Sequence, residues 1–139
     1  VVKLFAYLST RRTFKDGDYL IEQGKKADQA FLLIEGEVEI TVHHRDREIL
    51  LQRVEKNWVF GELSLLAKFL WFFNARASGT VEVLVIDRTA FQKVLEKFPE
   101  YKDQLIERVI QLRVDRLAGQ TTFMLDKLLN RNGDLKTAI

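Results

Sequence analysis

Apolar and polar positions alternate in short runs through most of the chain, and turn residues punctuate the runs at regular intervals. Asp16-Gly17-Asp18 precedes Tyr19-Leu20-Ile21, and Gln23-Gly24-Lys25 follows it. The apolar stretch from Ala30 to Ile34 leads to Glu35-Gly36, which reads as a two-residue hairpin turn. Val38, Ile40 and Val42 then alternate with Glu37, Glu39 and Thr41. Arg45-Asp46-Arg47 is the next turn, before the run from Glu48 to Val54, and Val81, Val83 and Val85 alternate once more before Asp87. Side chains on successive strand residues point to opposite faces, so this alternation predicts half-buried strands. Many short strands at such spacing predict a mainly β fold, an antiparallel barrel or jelly roll.

At Asp87 the period changes. Asp87 or Thr89 is positioned to cap a helix through Phe91, Val94, Leu95 and Phe98. Pro99, the only proline, marks the junction to a second helix starting near Glu100. From Ile110 apolar or seam positions fall at Val114, Leu117, Thr121, Met124 and Leu128, in steps of 4, 3, 4, 3 and 4. That is heptad spacing, and it predicts a helix that pairs with a second copy of itself. Gly119 within it marks a break or a close approach, and Asn130-Arg131-Asn132-Gly133-Asp134 ends it. Val1, Leu4, Phe5 and Leu8 predict a short opening helix. The chain therefore reads as one domain over 1–139: a helix at 1–9, a β-roll at 13–87 and C-terminal helices at 88–130.

Composition narrows the partners. Of 139 residues, 22 are basic and 20 acidic, a net charge of +2, which is not the footprint of a dedicated nucleic-acid binder. Pro99 to Ala118 holds balanced charges and is no basic recognition helix, so no sequence-specific DNA binding is expected. The chain has no cysteine, which removes disulfides and thiolate chemistry. No apolar run reaches the ~20 residues that span a bilayer, and the first ten residues lack a signal-peptide layout. A cytoplasmic location with no membrane partner is the expectation.

The stretch 60–78, FGELSLLAKFLWFFNARAS, carries the candidate chemistry. Gly61 lets the backbone approach a ligand and adopts positive φ at little cost. The run from Leu63 to Ala67 predicts one or two helical turns whose first N–H groups face an anion. Arg76 offers a planar donor fork suited to phosphate, and an ionised Glu62 accepts from ligand hydroxyls. The aromatic cluster at 69–73 either stacks on a ligand base or fills the core or forms a lid against the C-terminal helices, and so many contiguous rings favour the latter, structural reading. His43 and His44 lie at a predicted hairpin, and neighbours on a strand point apart, so no metal site is expected. No nucleophile–base pair is visible, and the chain is expected not to be an enzyme.

The order of these features resembles the cyclic nucleotide-binding domain family over about Phe14 to Leu117. FKDGDYLIEQG at 14–24 resembles the family's opening strand and glycine turn, and ADQAFLLIEGEVEI at 27–40 resembles its next hairpin. FGELSLL at 60–66 is similar to the start of its phosphate-binding cassette, and LVIDR at 84–88 with Phe91 to the end of its roll. The resemblance implies a jelly roll followed by helices that binds cAMP or cGMP, with no other cofactor. It implies that Glu62 takes the ribose 2′-OH and Arg76 the cyclic phosphate, assisted by Gly61, Leu63, Ser64, Ala77 and Ser78 and by the N–H groups of Gly61, Glu62 and Ala77. Ala77 stands where cGMP-preferring members often carry Thr or Ser, which directs the expectation to cAMP. In the catabolite activator branch a long helix pairs two subunits, and polar helix residues meet the purine across the dimer; Thr121 and Thr122 stand there.

Three departures accompany the resemblance. The link from Leu66 to Arg76 is longer than usual, is aromatic and lacks a proline; the segment from Arg76 to Leu84 is short, as if a strand-turn piece were absent at Ser78-Gly79-Thr80; and Asn57 replaces a common glycine. The leading expectation is a non-enzymatic cyclic nucleotide sensor that relays its state through the C-terminal helix. The alternative is a degenerate roll that binds no nucleotide and serves as a dimerisation or interaction module.

Overall fold

The alternating valines at 81, 83 and 85 form one face of a long strand, and that strand organises the roll. The computed structural model describes residues 6–129, with the side chains of 120–124, 127 and 128 outside that description. The described residues form six strands: β1 (Thr10–Phe14), β2 (Tyr19–Ile21), β3 (Gln29–His44), β4 (Arg47–Val54), β5 (Val59–Phe60) and β6 (Asn74–Asp87). All pairings are antiparallel, in the order β1-β6-β3-β4, with β2 added to β6 and β5 to β3. A 3₁₀ turn (Glu62–Leu65) follows β5, and α1 (Arg88–Lys97) and α2 (Lys102–Leu129) follow the roll.

The predicted architecture is present, and several local expectations change. Glu35-Gly36 is not a hairpin: β3 runs unbroken from Gln29 to His44. The register jumps from Glu35↔Glu82 to Glu37↔Ser78, so 79–81 bulge opposite Gly36. A Cβ on Gly36 (φ 96°) would overlap the Thr80 carbonyl oxygen and reach 3.0 Å from Val81 Cα. The glycine admits the crowded opposite strand rather than reversing the chain. The stretch Ser78-Gly79-Thr80 runs into this bulge. No strand is absent there, because β6 continues to Asp87, and Asp16 Oδ1 accepts from the Gly79 N–H at 2.7 Å.

The turn after His44 is the hairpin the sequence predicts, with Arg45 and Asp46 both at positive φ (51° and 61°), and Asn57 takes φ 71°. Asp87 caps α1 by accepting from the Ala90 N–H at 2.7 Å. Pro99 opens a short 3₁₀ turn between the helices. α2 passes through Gly119 without a break, and among the described residues nothing lies within 4 Å of a Cβ placed there. Ala6–Leu8 is helical; the remainder of the predicted opening helix, and the predicted helix end at Asn130 to Asp134, lie outside the described residues.

Two apolar clusters hold these layers. Inside the roll Phe14, Ile21, Phe31, Leu33, Val38, Phe60, Trp71, Val81 and Val83 are buried together, with the Phe31 and Phe60 rings stacked at 5.1 Å. Beneath the helices Leu65, Ile86, Phe91, Val94, Leu105 and Val109 form the second cluster. Leu105 and Val109 therefore seat the first turns of α2 on the roll, next to the 3₁₀ turn that carries Glu62.

Candidate functional site

Gly61 caps the 3₁₀ turn in the left-handed region, φ 75° and ψ 13°. A Cβ there would stand 2.9 Å from Trp71 Cη2 and 3.1 Å from the Gln29 carbonyl oxygen. Conformation and space both require glycine. Ser64 is fully buried, and its hydroxyl lies 2.7 Å from the carbonyl oxygens of Gln29 and of Gly61. It stitches the turn to β3 and has no donor left for a ligand. Leu63 is exposed.

Glu62 is 2% exposed, and among the described residues its Oε1 is enclosed without a hydrogen-bond partner. Helix α2 brings a cation to the neighbouring Trp58. Arg116 lies with its guanidinium carbon 4.9 Å from the centre of the Trp58 ring, a cation–π geometry. Burial pushes the Arg116 pKa down, attraction to Glu62 pushes it up, and Arg113 adds repulsion.

Arg76 is placed elsewhere, and the expectation that it joins Glu62 is corrected here. It lies in β6 between Ala75 and Ala77, both buried, and is itself exposed. Strand alternation puts a residue between two inward-facing neighbours on the outer face. There it stands opposite Tyr19 of β2 and Glu39 of β3. Its Nη2 is 3.8 Å from a Cβ built on Gly17. The Ala77 N–H, expected to meet a phosphate, donates instead to the Asp18 carbonyl at 2.8 Å, while the Ala77 carbonyl accepts from Gly17 N–H at 2.9 Å. Ser78 sits on β6 opposite Glu37. Thr121 and Thr122 lie within α2, and their side chains are outside the described residues.

Trp71 stands beside Gly61. It is 6% exposed and belongs to the roll's interior cluster. Its backbone zips onto the glycine turn after β2: Trp71 N–H donates to the Lys25 carbonyl at 2.8 Å, and Gly24 N–H to the Trp71 carbonyl at 2.7 Å. Ala27 N–H donates to Phe69 O at 2.9 Å, and Lys26 bridges to Leu70. That extended pairing makes the aromatic segment alternate. Phe69 and Phe73 turn in with Trp71, each edge-on to it at 5.5 Å, while Leu70 and Phe72 are 59% and 64% exposed. Core filling thus accounts for every second residue of 69–73. Trp58 and Arg116 are the residues that sequence reasoning missed, and Trp71 was read only as one of the 69–73 cluster. The in-out period at 69, 71 and 73 was available as a signal; nothing local marks Trp58 or Arg116. Among the described residues no group of three or more His, Asp or Glu converges as a metal site, and no described helix is long and apolar enough to cross a membrane.

A roll of this topology, with a glycine-capped turn carrying a buried carboxylate and two helices behind it, is the β-roll architecture of cyclic nucleotide-binding domains. The family model described as "Cyclic nucleotide-binding domain" matches residues 11–98, and the chain belongs to that family. It is 30% identical over 141 aligned positions to a cGMP-dependent protein kinase of Drosophila melanogaster, covering 87% of this chain and 15% of the kinase. The chain thus spans only a small part of the curated relatives it matches. A cyclic nucleotide-binding domain from Methylobacillus flagellatus superposes with a TM-score of 0.78 at 20% identity, covering 91% of this chain and 71% of that one. The N-terminal domain of a transcriptional regulator from Streptomyces coelicolor gives 0.70 at 26% identity, covering 84% and 82%.

Proposed function

We propose that this chain is a non-enzymatic regulatory domain on the cyclic nucleotide-binding fold whose ligand site is closed by its own side chains, and that it acts as a dimerisation and interaction module. The observation that carries the reading is the Trp71 indole against Gly61, with Arg76 on the opposite face of its strand. A cyclic phosphate entering the roll is a charge leaving water, and only a fixed set of donors offsets that cost. Beside Gly61 an apolar ring stands where such donors are needed.

The output surface in this reading is the outer face of α2. Leu105 and Val109 face the roll, whereas Ile110, Val114 and Leu117 are 46–48% exposed at steps of 4 and 3. A second copy of the chain, paired helix to helix, is the partner that heptad spacing fits. DNA is not a partner in this reading, since the described surface of α2 mixes Arg108, Arg113 and Arg116 with Glu107 and Asp115.

One observation favours a second reading, a sensor for cAMP or cGMP. The buried, unpartnered Glu62 Oε1 is an acceptor that a ligand hydroxyl would satisfy. Calorimetry with cAMP and with cGMP up to millimolar concentration, followed in parallel by emission of the two tryptophans, decides between them. The closed-site reading expects no saturable heat and no change in emission. A saturable isotherm with either nucleotide overturns it in favour of the sensor.

A further inference from the structure

We infer that Arg116 is an internal latch, a positioning residue that fastens α2 to the 3₁₀ turn by serving as the counter-charge of Glu62. This deepens the closed-site reading and rests on it, because the latch does the tethering that a bound ligand does in an open site.

The argument begins with the face that α2 turns to the roll. Leu105 and Val109 are buried, Leu112 is half-buried, and Arg116 stands one heptad beyond Val109 on the same side. A stripe that starts apolar ends on a guanidinium where a fourth apolar residue would otherwise stand. The surroundings supply the reason. Trp58 offers its ring face, and its backbone is fixed by bonds to Leu33 N–H (3.0 Å) and Glu55 O (3.1 Å). Glu62 supplies a carboxylate that is withdrawn from water with one oxygen unmatched.

A buried carboxylate without a counter-charge is costly, and so is a half-buried guanidinium. Each reduces the cost of the other while α2 stays docked. Undocking would return Arg116 to water and take its charge away from Glu62. Arginine suits the position better than lysine, because a flat, weakly hydrated guanidinium can lie over an indole while directing donors sideways. The latch also fixes the rotation of α2, and with it the direction in which Ile110 and Val114 present their apolar surface.

Hydrogen exchange on the full chain, resolved to peptides of α2 and of β6, tests the latch in Arg116→Ala, Arg116→Lys, Glu62→Gln and the double variant Arg116→Ala/Glu62→Gln. Losing the latch is expected to speed exchange in 109–119 by about tenfold or more, the equivalent of ~1.4 kcal/mol. Exchange in β6 should hold, and Arg116→Lys should fall between wild type and Arg116→Ala. Glu62→Gln should loosen the same peptides, and the double variant should be no looser than Arg116→Ala, since both changes remove one interaction. Unchanged α2 exchange in Arg116→Ala, or strictly additive effects of the two changes, overturns the latch. If Arg116→Ala loses the fold, the Arg116→Lys and Glu62→Gln comparison still decides. The nucleotide calorimetry on wild type judges the closed-site reading separately: saturable nucleotide binding sinks that reading and, with it, the latch as a stand-in for a ligand, whereas unchanged α2 exchange in Arg116→Ala sinks the latch alone.

Discussion

At the scale of single residues, Trp71 and Arg76 invert the weights that their chemistry suggests from sequence. Trp71 is wrapped by the Phe69 and Phe73 rings and the Gly61 backbone, so truncation leaves a cavity that the rigid roll cannot collapse. Trp71→Ala is expected to cost about 3–5 kcal/mol. Arg76→Ala, at an exposed site on the outer face, should stay within about 0.5 kcal/mol of wild type. Urea denaturation measures both, and equal midpoints for the two variants would contradict the placement of either side chain. Gly61→Ala should lower the same midpoint by about 1–3 kcal/mol from backbone strain alone, with a further loss from overlap with the indole. Combining it with Trp71→Ala should recover the overlap part, so the double variant is less damaged than the sum of the two.

At the scale of elements, β1 is a short outer strand whose polar face is held by an ion pair. Arg11 Nε lies 2.5 Å from Glu82 Oε1 across the β1–β6 pairing. The hydrogen bond from Arg11 holds the Glu82 carboxyl below its ordinary value of 4.5. A carboxyl with a lowered folded-state pKa adds stability above its unfolded value, because the unfolded chain takes up protons first. That stability is lost as pH falls through the lowered folded value. The melting-temperature gap between wild type and Glu82→Gln should therefore be present at neutral pH and shrink as pH falls below about 4.5. High salt should also narrow it, since both groups face solvent. A gap that widens in acid would show that Glu82 acts otherwise than as this ion pair.

At the scale of the whole molecule, the roll occupies one side of α2, and Ile110 and Val114 are exposed on the other. Val114 is 48% exposed in the middle of that face. If two copies pair there, Val114→Glu sets like charges against each other across the two-fold axis. Sedimentation should then show a dimer for wild type and a folded monomer for the variant. A wild type that sediments as a monomer at high concentration would remove the dimer from the proposed function. The roll should be indifferent to the outcome, because its core lies wholly within β1 to β6 and the aromatic segment.

The chain's own periodicities determined the roll, the cap at Asp87 and the turn at Arg45-Asp46. Each depends on neighbours a few residues apart, where alternation, capping and turn chemistry act. Glu62 was legible in the same way, as a carboxylate beside a glycine that opens a turn. Three things were not. Gly36 reads as a hairpin in sequence, and only the crowding of Thr80 and Val81 across the sheet shows that it lets two strands close on each other. Arg76 reads as a phosphate donor, and only its register against Tyr19 and Glu39 shows that it faces outward. Arg116 and Trp58 meet across 58 positions of sequence, and no local pattern encodes a contact between a helix and a turn so far apart. A strand slipped by one residue sends every side chain to the opposite face. Which groups share the interior beside Gly61 was therefore decided by long-range register and packing.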